Sequence, residues 1–309
     1  MSVPVAVKDR QTAQGEPTTQ AGTGAPPAAS RRFWRIKSFC RNRAAVIAAI
    51  FLGLVGLAVV FAPWLSGHGP DDADNLARLA PIGTPNYVLG TDQQGRDMLA
   101  RLLYGGRVSL LVGMVPVLVA GTIGLALGLV AGFTRGFVDQ VIMRCLDVVF
   151  AFPIVLLAIA IAGAMQAGMQ TEIISITVIL IPYFARLART ATEGVVPMPF
   201  IEAARAAGGS PATIMLRYVL PNVFSPVVVY ATTLMGLMIV VGSGLSFLGL
   251  GVQPPAADWG AMVADGRVVL RRAPHVTIEP GLVILAVSLA FAFLGDGIRD
   301  ALDPRTIRR

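Results

Sequence analysis

Apolar residues in this chain are gathered into long runs that contain no Asp, Glu, Lys or Arg. The runs cover residues 44–70, 108–134, 148–171 and 218–257, with shorter ones at 173–185 and 280–295. A helix needs about 20 apolar residues to cross a bilayer core about 30 Å thick. The pattern therefore predicts an all-α, polytopic membrane protein.

Six transmembrane helices are predicted along these runs. We place them at residues 44–64, 109–132, 142–163, 171–188, 223–249 and 279–297. Basic residues accumulate on cytoplasmic loops. With the N-terminus inside, seven basic residues fall on outer segments and the other 18 on inner ones. This imbalance predicts that both termini are cytoplasmic.

Composition narrows the class of protein. Of the 309 residues, 55% are hydrophobic and 14% are charged, against about 25% charged in soluble domains. A soluble enzyme, a disordered protein and a small secreted scaffold are thereby excluded. The net charge of +7 is explained by the basic inner loops, so no nucleic-acid partner is predicted.

The chain divides into five predicted segments. Residues 1–30 are rich in Pro, Ala, Gly, Thr and Gln and predict a disordered cytoplasmic tail. Residues 31–64 combine a basic, aromatic stretch with the first span; the stretch fits an amphipathic surface helix or a plain stop-transfer flank. An outer loop follows at 65–107, then a transmembrane core at 108–300 and a cytoplasmic tail at 301–309.

Small residues and prolines mark positions inside the spans. Gly124, Gly128 and Gly132 stand four apart, a spacing that lets two helices approach closely in lipid. We interpret them as a packing face rather than a pore lining. Pro153 and Pro226 are expected to bend the third and fifth spans.

Asp147 is the acidic residue that the sequence places most clearly inside a span. Two interpretations are open: a helix-end ion pair with Arg144, three residues earlier, which we favour, or a relay carboxylate. Arg186 and Arg189 crowd the inner end of the fourth span, where long side chains can reach the headgroups.

The inner loop at 197–222 has the most informative local pattern. Residues 201–207 favour a short, mostly alanine helix that Gly208 and Gly209 would end. Ser210 as N-cap and Pro211 at the first helical position would start the next helix. A smooth, short helix suits the groove of another protein, and an ordinary folded connector is the alternative.

This loop resembles the EAA loop of the membrane subunits of ABC importers. The matching residues are Glu202, Ala203, Ala204, Gly208, Arg217, Leu220, Pro221 and Asn222. Tyr218 departs from the family, where His is common. Residues 89–110 and 245–267 resemble the C-type permease of dipeptide, oligopeptide and nickel importers, and 295–305 resembles the tail of that family.

The resemblance implies a type I ABC importer fold and a mechanical role. Residues 201–207 would be the coupling helix that seats in a separate ATP-binding subunit. Contacts to that subunit would come from Glu202, Ala203, Ala204, Gly208, Arg217, Pro221 and Asn222. The two outer segments would dock a substrate-binding protein through Asp92, Gly95, Arg96, Asp97, Pro254, Pro255 and Trp259. Trp64 and Trp259 are also expected at the outer lipid interface.

The resemblance also implies the assembly. The expected partners are a homologous second permease, two ATP-binding subunits, an extracytoplasmic substrate-binding protein and the lipid of a bacterial inner membrane. ATP and Mg would be bound by the partner subunits, and no cofactor or metal is expected in this chain. Peptide cargo is expected; nickel or another small solute is the alternative.

Other classes fit the sequence less well. A phosphate loop of the G-x-x-x-x-G-K-[ST] type needs a lysine, and the only two, Lys8 and Lys37, lie outside any glycine-rich context. No protease motif occurs, so an enzyme is not expected. An ATP-independent secondary transporter would need broken helices in corresponding halves, and no convincing repeat is present.

Overall fold

The structure is a computed structural model that describes residues 39–302. The predicted tail at 1–30, most of the basic stretch before the first span, and residues 303–309 lie outside the described residues. Helices form most of the described chain. They are α1 (Arg43–Val60), α2 (Ala62–Leu65), α3 (Met98–Thr134), α4 (Gly136–Phe150), α5 (Ile154–Met165), α6 (Met169–Val195), α7 (Pro199–Ala206), α8 (Pro211–Phe247), α9 (Trp259–Gly266) and α10 (His275–Leu302).

Five of these helices are long and apolar enough to cross a membrane: α1, α3, α6, α8 and α10. They coincide with five of the six predicted spans. α3 begins at Met98, about ten residues before the predicted end of the outer loop, because Asp97 accepts a hydrogen bond from the amide of Leu99 and caps the helix there. With 37 residues, α3 is about 55 Å long and exceeds the hydrocarbon thickness.

The third predicted span, at 142–163, with its expected bend at Pro153, corresponds to two helices rather than one. The chain breaks after Phe150, and α4 and α5 meet at an angle of 86°. Pro153 has no amide hydrogen and disfavours a helical conformation at Phe152, which explains the break. α5 has only 12 residues, so α4 and α5 form a sixth span only if they are counted together. The predicted bend at Pro153 is confirmed. The helix α8 continues through Pro226, and the bend expected there stays a prediction.

The centre of the bundle is formed by α3, α6 and α8. The three glycines at 124, 128 and 132 lie against α6, and this confirms their interpretation as a packing face. A Cβ at Gly132 would lie 2.8 Å from the carbonyl oxygen of Arg189 and 2.8 Å from the Cβ of Thr192. Only a residue without a side chain permits this approach.

Two apolar clusters hold the helices together. The larger runs through α3, α6 and α8 and includes Phe184, Val223 and, from α7, Ile201. The second lies around the outer segments and includes Met98 and Trp259. α1 packs on α10 and leaves most of its apolar surface exposed, as the outer layer of the described bundle.

Candidate functional site

The loop at 197–222 is built around one buried anchor. α7 starts at Pro199, two residues before the predicted boundary, and ends at Ala206. Ile201 is 0% exposed and packs into the larger apolar cluster. Glu202 and Ala203 are exposed, and Ala204 is half-buried. One side of a short, small-residue helix is thus fixed to the bundle while the other side is free for another protein.

The turn after α7 depends on the conformation of Gly208. Its φ of +78° is one that residues with a side chain rarely adopt. The amide of Gly209 donates to the carbonyl of Ala204 at 3.1 Å, which closes the helix end. Ser210 then accepts a hydrogen bond from the amide of Thr213 at 3.2 Å and caps α8. The predicted helix, turn and helix are confirmed.

A wider helical turn carries the remaining residues of the loop. Residues Met215–Val219 form a π-helical segment inside α8. Pro221 has no amide hydrogen for the carbonyl of Arg217, and a local π turn accommodates such a missing bond. The side chain of Asn222 donates to the carbonyl of Tyr218 at 2.7 Å. Arg217 and Tyr218 are both exposed.

At the other end of the bundle, the segments 89–110 and 245–267 pack against each other. Ser109 on α3 donates to Asp258 Oδ1 at 2.6 Å and accepts from the amide of Trp259 at 3.0 Å. The Trp259 indole donates to the carbonyl of Leu102 at 2.9 Å. The two segments that resemble the same importer branch therefore form one structural unit.

A charged network shapes the loop in front of α3. Arg96 Nε donates to Asp92 Oδ2 at 2.6 Å, and Arg101 Nε lies 3.5 Å from the same oxygen. Asp92 Oδ1 also accepts from the amide of Arg96 at 3.0 Å. Gln93 joins the network to the other segment by donating to the carbonyl of Asp265 at 2.6 Å. Each buried charge in this loop thus has a partner, as burial requires.

Most of the predicted docking residues serve this internal structure. Asp92, Gly95, Arg96 and Asp97 are buried in the loop, while Pro254 and Pro255 are exposed. The expectation that Trp259 lies at the lipid interface is wrong. It is 1% exposed because its ring fills the second apolar cluster, whereas Trp64 is 80% exposed.

His68 and Tyr87 lie beside Asp97, where this loop meets α3. Their rings stack at 5.2 Å between centroids, and His68 Nδ1 lies 3.5 Å from Asp97 Oδ2. Burial, and then the charges of Asp74 and Asp97, raise the pKa of Tyr87 above its ordinary value. Within residues 39–302, no group of three His, Cys, Asp or Glu side chains could hold a metal ion.

Two ion pairs join α4 to α6, and they correct the expected partner of Asp147. Asp147 pairs with Arg186 at 2.7 Å and not with Arg144. The Arg186 guanidinium also lies 4.1 Å from the centroid of the Phe150 ring. Arg189 donates to both oxygens of Asp139, at 2.6 and 2.7 Å. These arginines fasten both the first turn of α4, through Asp139, and its last turn before the break, through Asp147, to α6.

Sequence reasoning missed Glu172. This residue lies in the first turn of α6 and is 2% exposed, whereas Asp147 is exposed to solvent. Both of its carboxyl oxygens lie 3.4 Å from Ser246 Oγ on α8, and no Arg, Lys or His of the described chain forms an ion pair with it. The available signal was an acidic residue directly after an apolar run, at a predicted span boundary.

Comparison with protein families supports the resemblance seen in the loops. Residues 124–308 match the family described as binding-protein-dependent transport system inner membrane component. Residues 30–81 match the N-terminal transmembrane domain of oligopeptide transport permease C. Together the two matches cover most of the chain, on both sides of residues 82–123.

Curated relatives are similar over nearly the whole chain. The glutathione transport system permease protein GsiD of Pectobacterium atrosepticum is 44% identical over 278 residues, which is 89% of this chain and 91% of the relative. GsiD of Escherichia coli is 42% identical over 276 residues, 88% and 89% of the two chains. The di/tripeptide permease DppC of Pseudomonas aeruginosa is 38% identical over 284 residues, 90% and 93% of the two chains.

Solved structures share the fold. A chain of the MetNI methionine ABC transporter, described in inward-facing conformations, superposes with a TM-score of 0.57 at 20% identity and covers 67% of this chain and 98% of its own. A chain of an amino acid ABC transporter solved with histidines superposes with a TM-score of 0.52 at 18% identity. The match covers 63% of this chain and 91% of that chain. The bundle therefore has the type I fold of ABC importer permeases.

Proposed function

This chain belongs to the family of binding-protein-dependent transport system inner membrane components, as a permease subunit of an ABC importer, and we propose that its cargo is a short peptide. The observation that carries the proposal is the similarity over about nine-tenths of the chain to permeases named for glutathione and for di- and tripeptides. Nickel or another small solute is the alternative that an uptake experiment must distinguish.

The proposed complex contains a homologous second permease, two ATP-binding subunits and an extracytoplasmic substrate-binding protein. The family name supports the last of these, since it specifies binding-protein-dependent transport. ATP and Mg are bound by the ATP-binding subunits, and this chain supplies no cofactor site. The chain lies in a bacterial inner membrane with both termini in the cytoplasm, where the excess of basic residues resists translocation.

We assign coupling to α7 and the start of α8. The exposed side of α7, with Glu202 and Ala203, seats in the ATP-binding subunit, and the buried Ile201 transmits its movement to the bundle. Gly208 sets the angle between α7 and α8. Arg217, Pro221 and Asn222 lie around the π turn that follows. When ATP closes the two ATP-binding subunits, displacement of α7 reorients α8 and opens the path outward.

We assign the docking of the binding protein to the outer surface that the buried network supports. Its exposed apolar residues include Leu76, Ile82 and Val88, which are favourable contacts for a protein partner. Pro254 and Pro255 extend this surface from the second segment. Asp92, Arg96, Asp97 and Trp259 act from inside by fixing the shape of the loop.

The test of function uses the complete complex in proteoliposomes, with labelled glutathione, labelled Ala-Ala and ⁶³Ni²⁺ as cargo. We expect uptake of at least one peptide that requires ATP and the binding protein. Uptake of nickel alone would contradict the peptide assignment. Uptake driven by a proton gradient without ATP would contradict the importer mechanism.

The coupling assignment is tested by Gly208→Asp. An aspartate is strained at this φ and adds a charge at the proposed contact, so we expect normal insertion, no uptake and loss of cargo-stimulated ATP hydrolysis. Gly136→Asp is the matched control, because Gly136 also has a positive φ and open space around it. Equal loss of uptake in both variants would count against a specific role of α7.

A further inference from the structure

A cavity of about 730 Å³ lies between α6, α8 and α10 at the end of the bundle that carries α7. α8 and α10 are in close contact at Thr233 and Gly295. A Cβ placed on Gly295 would lie 2.6 Å from Thr233 Oγ1. The cavity lies next to this contact, and Thr233 forms part of its wall. Pro221 and Asn222 of the coupling loop form part of its wall.

The wall of the cavity contains one acidic and one basic side chain, Asp296 and Arg299. They are three residues apart on α10, so they share one face of the helix. Both are exposed, and within residues 39–302 neither forms an ion pair or a hydrogen bond through its side chain. By contrast, the nearby Asp300 accepts a hydrogen bond from Asn42 at 3.1 Å. The cavity therefore presents two opposite charges that the described chain does not neutralise.

Neutral polar groups and an apolar wall complete the lining. The ring of Tyr230 is held edge-on against Phe184, with 5.5 Å between centroids, and its hydroxyl has no hydrogen-bond partner among the described residues. The amide nitrogen of Asn222 is used by the Tyr218 carbonyl, which leaves its side-chain oxygen available as an acceptor. Leu187 and Pro226 supply apolar surface. Such a lining favours a small polar ligand with apolar side groups.

We propose that this cavity binds a small zwitterion, namely the two charged ends of a short peptide, with the ammonium group at Asp296 and the carboxylate at Arg299. The identity of the ligand rests on the proposed function. The guanidinium fork of arginine matches a carboxylate with two parallel hydrogen bonds.

The dimensions favour two or three residues. The Cβ atoms of residues three apart on a helix are about 5–6 Å from each other, and the arginine side chain extends the reach. An extended dipeptide spans at most about 7 Å and a tripeptide about 11 Å. The volume lies within the range of about 300–1,000 Å³ that small-molecule sites occupy.

The ligand chemistry has a second possible source, because an ethanolamine phospholipid also joins an ammonium group to an anionic group. The experiment therefore uses the complete complex in nanodiscs of phosphatidylglycerol and phosphatidylcholine, without ethanolamine lipid. The probes are labelled Ala-Ala, N-acetyl-Ala-Ala and Ala-Ala amide, with binding measured by equilibrium dialysis in the absence of the binding protein.

We expect each blocked peptide to bind the wild-type complex at least tenfold more weakly, since each loses one charge-assisted contact. Asp296→Asn is expected to abolish the penalty for acetylation and to leave the penalty for amidation. Arg299→Gln is expected to do the reverse. Arg144→Gln, an exposed arginine at a different cavity, should change neither. Unchanged thermal unfolding of all three variants shows that the fold is intact.

Three results would overturn the proposal. The first is that Ala-Ala does not bind, and the second is that its binding is insensitive to both blocking groups. The third is that the Asp296 and Arg299 variants still bind both blocked peptides more weakly than Ala-Ala. In a second arm, ethanolamine lipid is added to the discs. Loss of peptide binding there in the wild type would assign the site to lipid and overturn the peptide. Uptake is measured in parallel: normal peptide uptake without binding in the cavity contradicts this inference alone, whereas absence of peptide uptake contradicts the proposed cargo.

Discussion

The hydroxyl of Ser109 on α3 lies 2.6 Å from the carboxylate of Asp258, although 149 residues separate them in the chain. The same hydroxyl oxygen accepts the amide of Trp259, and Asp258 accepts the amide of Ala261 at the start of α9. One serine thus joins the two outer segments and supports the first turn of α9.

Ser109→Ala is expected to destabilise the outer end of the bundle. A buried carboxylate loses a donor and a buried amide loses its acceptor, a change that typically costs about 1–3 kcal/mol. Thermal unfolding of the purified complex should show a lower midpoint. Ser288→Ala is the control, because that hydroxyl bonds only within its own helix; equal shifts in both variants would argue against the cross-segment role.

Gly128→Ala is expected to separate α3 from α6. The added methyl would overlap the carbonyl of Ala185 and lie 2.7 Å from the Cβ of Ala188, so the helices must move apart at a cost of about 1–3 kcal/mol. Gly163→Ala is the matched control, since nothing lies within 4 Å of that position. Expression and thermal unfolding measure the difference, and similar stability of the two variants would refute the close packing.

The two ion pairs between α4 and α6 are expected to differ in strength. Asp139 is mostly buried and receives two hydrogen bonds from Arg189, which predicts a coupling energy of about 1.5–3 kcal/mol. The exposed pair of Asp147 and Arg186 predicts about 0–1 kcal/mol. Double-mutant cycles with Asn and Gln substitutions measure both. A stronger coupling for the exposed pair would contradict the expected order.

Glu172 is expected to tolerate a neutral replacement and to reject a positive one. Glu172→Gln keeps the size of the side chain and its hydrogen bond to Ser246, so the free energy of unfolding should change by less than about 1 kcal/mol. Glu172→Lys buries an ammonium without a partner and should cost several kcal/mol. Gln170→Lys, on the exposed side of the same turn, is the control. Stable folding of Glu172→Lys would mean that the site is open to water.

The sequence predicted those features whose cause is local. Runs without charge indicate long apolar helices, and Gly208, Ser210 and Pro211 define the turn between α7 and α8, because helix capping involves only neighbouring residues. The break at Pro153 was expected as a bend, but its angle of 86° involves the packing of both α4 and α5 on α6, which the local sequence does not specify.

The features that the sequence did not predict depend on contacts between distant segments. Glu172 is buried because α8 covers it, whereas Asp147 is exposed, and the distance of these residues from the nearest span boundary does not reveal this. Trp259 fits the composition of a membrane interface, yet its indole bonds to Leu102 inside the bundle. The partners of Asp92 and Asp97 are likewise internal, so their position in an outer loop did not indicate exposure.

α8 runs for 37 residues, with a π-helical turn near its start, from Pro211 shortly after α7 to Phe247 beside Glu172 and the outer segment. Such a helix is about 55 Å long. If it pivots near its middle by about 10°, its two ends move by about 5 Å in opposite directions. A push at one surface of the membrane thereby becomes a shift at the other surface within a single piece of secondary structure, with no relay of side chains in between. A single helix of the permease, α8, therefore connects movement at its two surfaces.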